Sequence, residues 1–240
     1  MKTNLTISIF FSVLCFITGR NLMAQTQVSV YTDLGRNNVS DGLFIKTAGF
    51  AQYQFGKYKC EAGIQVDFKS NNEKVLSGYN FKLSRNCLIR NFPLEVESFY
   101  ILTPFSYLLH ETNWGLLINI KLIHFAIIAG TDFRTLTITE SFEEISTNNK
   151  MHERWNLMYS FSYYLKPLDN PWNISLSITD IDNFVINQES NPVINLRTSY
   201  EPGSRLNLFI ESWYKSAGAF NLASNYFGFF FRTGIIWKIN

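Results

Sequence analysis

The feature that most constrains this chain is a polarity that alternates residue by residue, in one segment after another. In 58–68 the even positions are Tyr58, Cys60, Ala62, Ile64, Val66 and Phe68, and the odd ones are Lys59, Glu61, Gly63, Gln65 and Asp67. Successive side chains on a strand point to opposite faces, so each such segment is a strand with one apolar and one polar face. Twelve can be counted, at 27–34, 43–55, 58–68, 78–89, 94–102, 113–122, 125–137, 155–165, 172–179, 193–200, 205–214 and 226–239. After residue 24 no segment reaches 18 consecutive apolar residues, so no membrane-spanning helix is expected.

The connections alternate too. Gly56-Lys57, 90–93, Ile123-His124, 166–171 and 201–204 are short, whereas 35–42, 69–77, 103–112, 138–154, 180–192 and 215–225 are longer. Short and long links in strict alternation between an even number of strands predict an all-β, antiparallel, closed barrel of about 12 strands. The two-residue turns also set the register. With Gly56-Lys57 as a turn, Phe55 faces Tyr58, Tyr53 faces Cys60 and Ala51 faces Ala62, so the less polar faces meet along the whole hairpin. A slip of one residue would break this match.

Period two alone does not say which face points inward, and a secreted soluble barrel with its apolar face inside shares the pattern. The aromatic residues favour the opposite arrangement. On the apolar face Phe55, Tyr58, Phe125, Tyr163, Trp172, Tyr200 and Trp237 lie near the short turns, and Trp114, Phe133, Trp155, Tyr214 and Phe227 lie near the long loops. Two such bands, with aliphatic residues between them, match the girdles that rings form at the two interfaces of a membrane. Arg85 is the main exception within the aliphatic band.

Both ends of the chain fit this reading. Lys2, a 13-residue largely apolar run from Leu5 to Ile17 and Leu22-Met23-Ala24 form a signal peptide, expected to occupy 1–24 and to leave the barrel as 25–240. Cys15 lies inside the apolar run, after the large Leu14, and is a poor lipid-attachment site. At the other end, Arg232-x-Gly234-x-x-Trp237-x-Ile239 resembles the C-terminal signal by which Gram-negative outer-membrane β-barrel proteins are recognised for assembly. The departures are the aliphatic Ile239 and one extra residue, Asn240. The resemblance implies a porin-like protein in the outer membrane, with short turns and both termini periplasmic. It also implies two partners, outer-membrane lipid and, during biogenesis, the barrel assembly machinery.

Without residues 1–24 the basic count falls from 21 by Lys2 and Arg20 to 19, equal to the 19 acidic residues. A formally neutral chain lacks the electrostatic footprint of a nucleic-acid partner. Inward positions carry both signs, with Lys46, Glu95, Glu97, Lys121, Asp132, Arg134, Arg197, Glu211 and Arg232 as lumen-facing candidates. These charges read either as a salt-bridge network satisfying a polar interior or as a selective path for a small polar solute. Inward aromatics such as Tyr31, Phe50, Phe99, Phe209, Trp213 and Phe230 predict a narrow or partly occluded lumen.

Three further sites complete the reading. The apolar stretch Thr103–Thr112 is a candidate constriction folded into the barrel mouth. Asp180-Ile181-Asp182-Asn183 clusters oxygen ligands suited to calcium, but it lacks the glycines and spacing of a calcium loop and reads as a polar turn. Cys60 and Cys87, on neighbouring strands and the same face, are a possible disulfide if the intervening hairpin is centred near residue 73 or 74. No cofactor, metal or catalytic motif is expected. Only Glu95 and Glu97 pair two carboxylates on one face, so a lipid-modifying enzyme ranks below both a narrow uptake channel and a non-conducting barrel displaying its loops.

Overall fold

The computed structural model describes residues 24–37, 43–68, 75–89, 92–104, 109–138, 150–165, 171–184, 193–215 and 228–239. They form twelve strands: β1 (Ala24–Asn37), β2 (Leu43–Phe55), β3 (Tyr58–Asp67), β4 (Leu76–Ile89), β5 (Phe92–Pro104), β6 (Leu109–Lys121), β7 (Phe125–Ile138), β8 (Lys150–Tyr164), β9 (Trp172–Thr179), β10 (Val193–Gly203), β11 (Leu206–Lys215) and β12 (Gly228–Lys238). Each pairs antiparallel with its sequence neighbours, and β1 pairs with β12, from Gln27↔Lys238 to Asn37↔Gly228, to close the barrel. The signal peptide expected at the N-terminus lies outside the described residues, apart from Ala24.

The registers expected from the two-residue turns are observed. Phe55 faces Tyr58, Tyr53 faces Cys60 and Ala51 faces Ala62; Ile120 faces Ile127 in the β6–β7 hairpin. Gly56, at φ 58°, takes the left-handed conformation that the first of these turns requires. Traced across the ladders from Asn37 through Gly228, Lys215, Val193, Thr179, Ser160, Ile128, Asn119, Glu95 and Asn86, the pairing returns to β1 displaced by about 14 residues, which over twelve strands corresponds to a tilt of roughly 40°. Such a tilt is that of a membrane-spanning barrel.

The apolar face points outward. Ile64, Leu83, Leu116, Ile127, Leu157 and Ile210 are exposed, whereas Asp33, Asn113, Asp132, Glu211 and Arg232 are buried. The two girdles are present. Phe55 stacks on Tyr58 and Trp172 meets Tyr200 on the short-turn side, while Trp155 contacts both Trp114 and Phe133 on the long-loop side. Arg85 sits opposite Tyr58 with its guanidinium 5.4 Å from that ring, so this outward charge lies at the interface and not mid-band.

Two expectations need correction. Cys60 faces Leu83, and Cys87 faces Leu94; both thiols are free. The β3–β4 register brings Leu83 opposite Cys60, four residues away from the Cys87 that a disulfide would require there. Thr103–Thr112 is not a loop either. Thr103 faces Glu111 and Pro104 faces His110 within the β5–β6 ladder, so most of the stretch belongs to the wall, and 105–108 lie outside the described residues.

Thiol labelling of denatured, unreduced protein will therefore find both cysteines reactive after residue 24. Replacing Leu116, midway along β6 on the apolar face, with Arg will cost about 2–4 kcal/mol in unfolding experiments. Arg at Asn119, which faces the polar interior opposite Glu95, will cost much less because the charge does not enter lipid. Equal costs would contradict the assignment of faces.

Candidate functional site

Inside the barrel, opposite charges are paired across neighbouring strands and, for Lys59 on β3 and Glu95 on β5, across the strand between them. Lys59 donates to Glu95 at 2.8 Å, which also accepts from Ser84 and lies 3.5 Å from Lys121. Lys82 lies 3.6 Å from Glu61 and 3.9 Å from Glu97. Lys46 approaches Asp67, Arg134 binds Glu111 and Arg197 binds Glu211. Glu95 and Glu97 are therefore held by lysines, not poised as an acid–base pair. Among the described residues no group of three or more His, Cys, Asp and Glu side chains is arranged to hold a metal.

The lumen is crossed by a segment that the sequence reading placed in a surface turn. The β8–β9 ladder has only five residue pairs, Ser160↔Thr179 to Tyr164↔Ser175, because β9 ends at Thr179 while β8 extends back to Lys150. Asp180 closes the end of this ladder. Its N–H donates to the Tyr159 carbonyl and its Oδ1 accepts from the Tyr159 N–H at 2.7 Å. The Thr179 hydroxyl accepts from Ile181 N–H at 2.9 Å, which turns the chain out of the wall. These side chains take over the backbone bonding that a continued strand would have supplied.

Residues 181–184 then run between the two inward apolar clusters. Ile181 packs against Phe99, Ile101, Leu117 and Met158; Phe184 joins Tyr31, Ala48, Phe50 and Phe209. The Phe184 ring lies 5.3 Å from Phe50. Two glycines make room: a Cβ on Gly63 would come within 2.3 Å of Phe50, and one on Gly78 within 2.7 Å of Phe184. Asn80 Nδ2 donates to the Asn183 carbonyl, and Lys82 donates to Asn183 Oδ1 at 2.8 Å.

Arg232 is the strongest hold on this segment. Its guanidinium makes two bonds to Asp182, at 2.9 and 3.0 Å, and two to Asp33, at 2.7 and 3.0 Å, with Glu211 3.7 Å away. It also lies 4.1 Å from the Tyr31 ring and 5.1 Å from that of Trp213, which is stacked on Phe230. Arg232 is 4% exposed. A buried guanidinium is tolerable only when its donors are satisfied, and the planar fork suits two carboxylates at once. One carboxylate belongs to the wall and the other to the inward segment.

Of the nine lumen-facing candidates, Asp132, Arg134, Glu211 and Arg232 are buried, and Lys46, Glu95, Glu97, Lys121 and Arg197 take part in ion pairs. Glu95, Glu97 and Lys121 cluster toward the short turns, Lys46, Arg197, Glu211 and Arg232 on the β2 and β10–β12 side, and Asp132 with Arg134 on β7. The sequence reading did not bring Asp182, Asn183 and Phe184 into the lumen. One signal was available: β9 is shorter than its neighbours, and the residues after it begin with acids and end in Phe.

No family model matches the chain, and no curated protein matches it. Among solved structures, an outer-membrane channel from Pseudomonas putida F1 superposes with a TM-score of 0.54 at 9% identity, covering 90% of this chain and 96% of that one. The KdgM porin in complex with disordered oligogalacturonate gives 0.52 at 9% identity, over 88% and 99%. The NanC porin gives 0.51 at 8% identity, over 88% and 100%. At these identities the likeness is one of fold, and the fold is that of the outer-membrane β-barrel.

Removing the Arg232 charge, as in Arg232→Met, will leave Asp33 and Asp182 buried without a counter-charge. The cost will be about 3–5 kcal/mol in denaturant unfolding followed by tryptophan fluorescence. Asp182→Asn will cost less, since Arg232 keeps Asp33.

Proposed function

We propose that this protein is a narrow outer-membrane pore for a small polar solute, constricted by its own residues 180–184. The observation that carries the reading is that this segment is seated inside a charge-lined lumen by polar contacts to two strands on different sides of it, through Asn80 and Lys82 on β4 and Arg232 on β12. A filled interior needs only side chains. A backbone segment brought inward and held by hydrogen bonds is a separate, movable part, and it narrows the path where both charge and aromatic surface are present.

The solved barrels of the same fold are described as porins and a channel, and one of them is a complex with an acidic oligosaccharide, which supports the same class of role here. The paired state of Glu95 and Glu97 supports a pore over an enzyme. The short turns and both termini face the periplasm in this reading, the long loops face outward, and partners are outer-membrane lipid and the assembly machinery. The second reading, a non-conducting barrel that displays its loops, draws on the same segment, because 180–184 also occludes the lumen.

Planar-bilayer recording separates the two. The wild-type barrel will give small discrete steps. The double variant Asp182→Ala/Phe184→Ala, which removes the ion pair to Arg232 and the ring wedged on Phe50, will give clearly larger ones. Silence from both, with barrel formation verified by the heat-dependent shift in gel mobility, would overturn conduction and favour display.

A further inference from the structure

Asp132 on β7 differs from the inward acids that are ion paired. It is completely buried, and neither of its oxygens has a well-formed hydrogen bond, the Asn156 amide being the nearest side-chain donor. An ionised carboxylate without a partner in such a place is strongly disfavoured.

The groups around it are mostly acceptors. Asn113 on β6 donates through Nδ2 to Glu111 at 2.6 Å, which turns its Oδ1 away from that acid; this oxygen is buried and has no donor. Neither side-chain atom of Asn156 on β8 has a partner. Arg134 is committed through Nη2 to Glu111 at 2.7 Å, while its Nε bonds nothing. Asp180 is 4% exposed, uses Oδ1 for the Tyr159 N–H and is repelled by Asp132. Glu111 is engaged by Arg134, so the Asp132 carboxylate has no ion-pair hydrogen bond among the described side chains.

We propose that this recess between β6, β7 and β8 binds one divalent cation, calcium, on the Asp132 carboxylate and the amide oxygens of Asn113 and Asn156, with Asp180 supplying the second negative charge. A cation offsets the Asp132 charge, and four otherwise unpartnered oxygens become ligands. Calcium fits because the donors are all oxygen, because carboxylate and amide carbonyls are its usual ligands, and because it accepts an irregular set completed by water. The site adjoins Asp180, where the chain leaves the wall, so the ion pins the root of the inward segment. This inference does not rest on the barrel conducting.

The test uses the refolded barrel in detergent, stripped with EDTA and titrated with calcium chloride by calorimetry and by thermal unfolding. Wild type will bind one calcium per barrel and gain thermal stability from it, with magnesium binding more weakly. Asp132→Asn will bind calcium about tenfold more weakly or worse and lose the calcium-dependent gain. Asn113→Ala, a milder change, will weaken binding while the barrel still forms, which covers a failure of the first variant to fold. No calcium bound by wild type at millimolar concentration would overturn the proposal, leaving Asp132 protonated or bridged by water. Equal affinity in wild type and Asp132→Asn would also overturn it.

Discussion

The constraint on which everything else depends is that a strand in hydrocarbon cannot leave its N–H and C=O groups unpaired. The β1–β12 ladder meets it by joining the first strand to the last over eleven residue pairs. Once the sheet closes, the alternation of side chains has only one outcome. The aliphatic residues face lipid, and the charged and amide side chains are confined together in a space too narrow to hydrate them freely. The interior is then obliged to solve an electrostatic problem, and the ion pairs across neighbouring strands are the solution.

The departure from regular pairing that matters most for the lumen occurs where β9 stops. A shortened strand leaves the adjacent edge of β8 open at that level, and Asp180 and Thr179 satisfy it with their own side chains. The same turn directs the chain inward, where Arg232 receives it. Local bonding at the wall and long-range docking in the lumen are thus parts of one device, in which the end of a ladder becomes the base of a constriction. The short ladder between β8 and β9 and the bidentate grip of Arg232 on Asp182 belong together physically.

Much of the fold was legible in the sequence, because the wall is governed by local rules. Period two gave the strands, the two-residue turn at Gly56-Lys57 gave a register, and the paired rings of Tyr58, Trp172, Trp114 and Trp155 gave the girdles and hence the outward face. The site was less legible. The nine inward charges could be assigned a face but not a partner, since pairing across the lumen depends on the stagger of all twelve strands. Cys60 and Cys87 show the sensitivity: a hairpin centre displaced by two residues separates them by four. Segment 180–184 was hidden for a different reason. Its sequence is that of a polar turn, and only the abrupt end of β9, together with the space left by Gly63 and Gly78, makes it an internal element.

Arg232 and Asp33 are 199 positions apart in the chain, one on the last strand and one on the first. Their bond crosses the seam at which the barrel closes, so no partly wrapped sheet can form it. Until then the guanidinium lacks one of its acids, and the inward segment lacks a complete receptor. The complete grip of Arg232 on both acids is therefore available only once the barrel has closed. A chain that misaligned its final strand by two residues would bring Gly234 or Phe230 opposite Asp33 in place of the arginine. The buried ion pair thus serves as a check on the last step of folding, rewarding only the register in which the two ends of the sequence meet correctly.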